Sequence, residues 1–117
     1  MENTNKLPIE FKTKWVAALR SGEFKQGNLK LYNEKNNTYC CLGVACVIAG
    51  IDKNNTDVMD RGYIYSRNIK SDEIKEQLKP LFFDNNNVSP LVLKLTTMND
   101  VDKKSFNEIA DYIEVEL

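Results

Sequence analysis

Three thiols fall within the eight residues Tyr39-Cys-Cys-Leu-Gly-Val-Ala-Cys46, in a chain of 117 residues that contains no histidine. Sulfurs this close together can ligate a metal, attack a substrate or pack in a core. A zinc site needs thiolates that converge on one point, usually four ligands drawn from repeated C-x2-C spacings. On a helix Cys41 and Cys46 lie about 140° apart and Cys40 and Cys41 about 100°, so no two share a face and no metal site is expected. A nucleophile is the more serious alternative. Cys40 or Cys41 at the entry to a helix would gain acidity from the helix dipole. A cysteine hydrolase or transferase also needs a positioned base, and without histidine a lysine or carboxylate would have to serve. Packing is the leading reading, because free cysteine is among the most buried residue types.

A second stretch interleaves aromatic and basic residues: Arg61-Gly-Tyr-Ile-Tyr-Ser-Arg67. On a strand Tyr63 and Tyr65 share a face and can stack bases while Arg61 and Arg67 approach phosphates. The competing reading is a tyrosine pair on a half-buried strand. Asp100 and Asp102 with Asn99 in a loop could bind a hard cation, but their spacing fits no EF-hand and they read first as turn formers. The sequence holds no P-loop, no G-x-G-x-x-G and no H-E-x-x-H, so no cofactor is expected.

Sixteen basic residues stand against seventeen acidic ones, a net charge of −1. Such a balance steers the chain to neither generic nucleic acid nor an anionic membrane. No apolar run approaches the roughly 20 residues of a membrane span, and the polar start lacks a signal-peptide pattern. A cytoplasmic protein is expected, and an odd number of cysteines agrees with a compartment in which disulfides are rare.

The elements that would hold these residues are readable. A helix is expected over 8–21, with Phe11, Trp15, Ala18 and Leu19 on one stripe and Gly22 as its stop. Residues 29–32 and 38–41 read as a β-hairpin around an asparagine-rich turn. Residues 41–49 read as a short buried helix closed by Gly50, in which Gly43 would let another backbone approach. Residues 51–60 read as a loop and 62–66 as a short strand. Ser71 opens a helix that Pro80 shortens or bends, and Asn85 to Asn87 form a loop. Ser89-Pro90 opens another helix over 91–98, with a strand as the alternative because of its β-branched content. Ser105-x-x-Glu108 is a capping box ahead of Phe106, Ile109, Ala110, Ile113 and Leu117 at helical spacing. The expected product is one α+β domain over 1–117, with four to five helices flanking a small antiparallel sheet.

Two segments carry a resemblance. Trp15-x3-Leu19-Arg-Ser-Gly-Glu-Phe-Lys-Gln-Gly27 followed by Tyr39-Cys-Cys-Leu-Gly-Val-Ala-Cys46 resembles the amino-terminal half of a family of small proteins encoded by phages and prophages. Leu95-Thr-Thr-Met-Asn-Asp100 and Ser105-Phe-Asn-Glu-Ile-Ala-Asp-Tyr-Ile113 resemble its closing segment. The resemblance implies an origin rather than an activity. Small accessory phage proteins commonly counter host defence, by sequestering a nucleotide signal or by blocking a defence protein. Its polar matches, Arg20, Gln26, Asn99 and Asp100, join Arg61, Tyr63, Tyr65 and Arg67 as candidate ligand contacts, since loops and helix ends display binding groups. Capping is the plain alternative for Arg20 and Asn99.

The expected function is therefore that of a non-catalytic binder of a nucleotide-type signal, acting as a homo-oligomer in the cytoplasm of an infected bacterium. A direct inhibitor of a host defence protein is the nearest alternative, a cysteine-dependent hydrolase or transferase using Cys40 or Cys41 the next. A virion component is a third class.

Overall fold

The computed structural model describes residues 7–84 and 87–116; expectations for the start of the chain, for Asn85 and Asn86 and for Leu117 lie outside the described residues. Helix α1, Ile9–Ser21, is entered through Pro8 and buries Phe11, Trp15, Val16, Ala18 and Leu19 on one stripe. It ends at Gly22, whose φ of 82° is the left-handed conformation that glycine adopts without a Cβ penalty. The hairpin forms with shorter strands than expected: β1, Tyr32–Asn33, pairs antiparallel with β2, Thr38–Tyr39. Residues 29–31 leave the ladder because Leu29 sits at φ 72° and the Leu31 amide donates instead to the carbonyl of Arg61 at 2.7 Å.

Helix α2, Cys41–Ala49, follows β2 directly with Cys40 in extended conformation as its N-cap, and it is apolar nearly all round, as a central helix must be. Its C-terminus closes by a Schellman-type pair of bonds: Gly50 N–H reaches Val47 O at 3.0 Å and Ile51 N–H reaches Cys46 O at 3.0 Å. The region read as a loop contains one helical turn, α3, Thr56–Met59, which turns Val58 and Met59 into the core. The strand expected over 62–66 does not form. Only Ile64 bridges, in parallel with Phe82, and Ser66–Asn68 coil into a 3-10 turn. Helix α4, Asp72–Leu78, is capped by Ser71, whose Oγ accepts from Ile74 N at 3.2 Å, and Pro80 lies in the 3-10 turn that ends it.

Strands β3, Phe83–Asp84, and β4, Asn87–Val88, form a second two-stranded antiparallel sheet. The helix, not the strand, is the form of the next segment: α5, Pro90–Asp100, starts where Ser89 Oγ accepts from Leu91 N at 3.1 Å. In α6, Phe106–Glu116, both capping-box bonds are made, Ser105 N to Glu108 Oε1 at 2.9 Å and Glu108 N to Ser105 Oγ at 3.2 Å. Helices α1, α2, α5 and α6 pack against one another around one core that contains Trp15, Leu42, Val44, Leu95, Ile109 and Ile113. The described residues thus make an α+β domain of six helices, one a single turn, and two small antiparallel sheets. Among them no helix is long and apolar enough to cross a membrane.

Candidate functional site

The three cysteines are sealed in the core, with Cys41 and Cys46 at zero exposure and Cys40 at 4%. Burial pushes the Cys40 thiol up to about 12 and the other two well above the ordinary thiol value. Cys41 Sγ faces the carbonyl of Leu95 at 3.8 Å, and no group of three or more potential metal ligands occurs among the described residues. A buried protonated thiol next to a carbonyl is a packing group with a weak hydrogen bond, not a poised nucleophile.

The polar residues of the two signature segments meet in one network. Asn99, expected at a displayed helix end, is instead 3% exposed within α5. Its Oδ1 accepts from Gln26 Nε2 at 3.0 Å and from Cys41 N at 3.3 Å; its Nδ2 donates to Gly27 O at 2.9 Å and Asp100 Oδ1 at 2.8 Å. Gln26 also donates to Lys104 O at 2.8 Å and accepts from Phe106 N at 3.1 Å, and Asp100 Oδ1 accepts from Leu29 N at 3.2 Å. An amide side chain offers two donors and two acceptor sites, so the capacity of Asn99 is spent within the chain. Gln26, Asn99 and Asp100 therefore tie the 26–29 segment to the start of α2 and the α5–α6 turn. Arg20 stands apart, reaching across to α6 with contacts to Asp111 at 2.6 Å and Glu114 at 3.1 Å, which raise its already high pKa.

The aromatic and basic stretch behaves differently. Tyr63 and Tyr65 do not align along a strand; they fold around Phe83, Tyr63 stacked on it with ring centroids 4.1 Å apart and Tyr65 edge-on at 5.9 Å. The Phe83 amide donates to Ile64 O at 2.8 Å, which holds the three rings together. The guanidinium of Arg67 lies 4.8 Å from the Tyr65 ring centroid and that of Arg61 lies 5.9 Å from it. Arg61 Nε donates to Asp57 O at 2.7 Å, and among the described residues neither arginine has a carboxylate partner. The rings are partly exposed and both arginines exposed. The result is a surface of flat rings and exposed guanidinium groups, suited to stacking and to anions. Phe83 was not among the expected contacts. The adjacent Phe82-Phe83 beside the Asn85 to Asn87 run was its signal, because one of two neighbouring strand residues must face away from the core.

The comparisons with known proteins bear on family membership. No curated protein and no solved structure matches the chain. The model of a domain of unknown function, DUF8296, matches residues 7–117, spanning both signature segments and the ring cluster between them, and the chain belongs to that family.

Proposed function

We propose that this chain is a phage-encoded, non-catalytic accessory protein that counters host defence in the infected cell by holding a nucleotide-type signal. The observation that carries the reading is the Tyr65 ring flanked by Arg61 and Arg67, neither with a carboxylate partner among the described residues, beside the stacked Tyr63 and Phe83. Rings of this kind stack on a base, and exposed guanidinium groups bind phosphate. The sealed thiols weigh against the hydrolase or transferase alternative, since the thiolate is the reactive form.

A second reading has a specific observation in its favour. Partly exposed tyrosines beside arginines are also the composition of protein-binding hot spots, which supports a direct inhibitor of a host protein. A thermal-shift screen against mononucleotides, cyclic dinucleotides and ADP-ribose derivatives separates the two. A bound nucleotide at a hundred times its Kd adds about 2.7 kcal/mol and raises Tm by several degrees. That gain should shrink in Arg67→Ala and Tyr63→Ala. A flat screen on well-folded protein overturns the nucleotide reading and leaves the inhibitor.

A further inference from the structure

The asparagine-rich turns frame a cleft that lies outside the ring cluster. Its volume is about 530 Å³, and its lining includes Lys30, Lys35 and Lys53 together with Glu34, Asp60 and Tyr32. This lies within the roughly 300–1,000 Å³ of small-molecule sites. Each wall is set by local turn chemistry. In the β1–β2 turn Asn33 Oδ1 accepts from Lys35 N at 3.0 Å, and Tyr32 Oη donates to Asn37 Oδ1 at 2.9 Å. In the loop after α2, Asp52 Oδ1 accepts from Asn54 N at 2.8 Å and Asp52 O from Asn55 N at 2.9 Å, which fixes the backbone on both sides of Lys53. Two turns distant in sequence thus present lysines to one hollow.

The charges there are unequally paired. Lys30 is held by Asp60 at 2.8 Å and its charge is compensated. Lys35 and Lys53 have no carboxylate partner among the described residues, and the contact Lys53 makes is with the Tyr32 ring, its Nζ 5.6 Å from the centroid. A cation over a ring in an open cleft is a modest interaction that a better partner displaces. The lining sets three ammonium groups against the carboxylates of Glu34 and Asp60, so the cavity beside the Tyr32 ring is net positive in a chain of net charge −1.

We infer that the cleft between the β1–β2 turn and the 52–56 loop is a second nucleotide site, separate from the ring cluster, with Lys35 and Lys53 on the phosphate and Tyr32 against the base. The inference rests on the nucleotide-binding reading for the class of ligand and adds a site away from Arg61 and Arg67. On binding, the base takes the place of the Lys53 ammonium on the Tyr32 ring, and the freed ammonium turns to the phosphate. Asn54 and the Lys30-paired Asp60 stand as polar groups at the wall for sugar or base edges.

The test is titration of isotope-labelled protein with ADP and, separately, with pyrophosphate at low salt, read from backbone amide shifts. The expected result is perturbation of residues 32–35 and 53–56 in addition to the ring cluster, weakened by added salt. Lys35→Glu and Lys53→Glu should each weaken ADP binding at the cleft roughly tenfold without changing the Tm of the free protein, because both side chains are exposed. Perturbation confined to residues 61–67 and Phe83 overturns the cleft assignment and leaves the nucleotide reading standing. No perturbation by either probe overturns the cleft assignment too, and the nucleotide reading then stands or falls on the thermal-shift screen. Perturbation of residues 32–35 and 53–56 that survives both charge reversals also sinks the inference.

Discussion

Gln26 and Asn99, 73 positions apart, are joined side chain to side chain, with Gln26 Nε2 donating to Asn99 Oδ1 at 3.0 Å. The bond closes a network that also takes in Gly27, Cys41, Asp100, Lys104 and Phe106. Asn99→Ala would strand the Cys41 amide and the Gly27 carbonyl in or near the core. The expected loss is about 2–4 kcal/mol, measured by urea unfolding at neutral pH. A loss below about 0.5 kcal/mol would mean that water replaces the amide at no cost and that the network is incidental.

Gly43 and Gly22 should respond oppositely in scale to the same substitution. A Cβ at Gly43 would collide with the Leu31 carbonyl, lying 2.6 Å from its carbon, and both partners are core backbone. Gly43→Ala should cost more than about 3 kcal/mol or prevent folding. Gly22 has open space around it and only its φ of 82° to defend, so Gly22→Ala should cost about 1 kcal/mol. Melting curves of the two variants side by side decide the point, and equal losses would refute the close approach.

The thiols should be inert in the native state and costly in alkali. Alkylation of folded protein at neutral pH should proceed only as fast as the chain opens. Burial raises the thiol pKa values in the folded state, to about 12 at Cys40 against an ordinary value of 9.0. The unfolded chain therefore loses its thiol protons first. The thiol contribution is full below pH 9 and falls as pH rises above it, by about 1.4 kcal/mol per unit for each thiol. Cys46→Ala should cost about 1 kcal/mol at neutral pH and flatten part of this slope. A rapidly alkylated thiol in the folded protein would restore the enzyme reading.

The α6 capping box sets an effect at the acid end. Glu108 is held below the usual carboxylate range, chiefly because its carboxylate accepts from the Ser105 amide. Its contribution is present at neutral pH and is lost as pH falls through the depressed folded-state value. Glu108→Gln keeps an acceptor but removes this part of the acid dependence. Ser105→Ala should cost about 1 kcal/mol at all pH values where the helix forms. Thermal melts between neutral and acid pH distinguish the two patterns.

Elements whose boundaries rest on local chemistry were legible in the sequence. Gly22 and Gly50 as helix stops, Ser71 and Ser89 as caps and the Ser105–Glu108 box all act within a few residues of themselves, and each does so in the structure. The 62–66 segment was misread because alternation of apolar and polar residues does not supply a strand partner. Ile64 found a single bridge to Phe82, and its flanking tyrosines closed on Phe83 instead.

The sequence by itself determined the class of fold and the burial of the thiols, because composition, periodicity and capping are properties of neighbouring residues. The tertiary structure alone decided what the polar signature residues do. Gln26 and Asn99 look like displayed binding groups until packing brings the first loop against α5, where their amides find each other and the orphan backbone groups of three segments. It likewise decided that Lys35 and Lys53 face one cleft with Tyr32, since loop closure over many residues is set by the global fold and leaves no periodic trace in the chain.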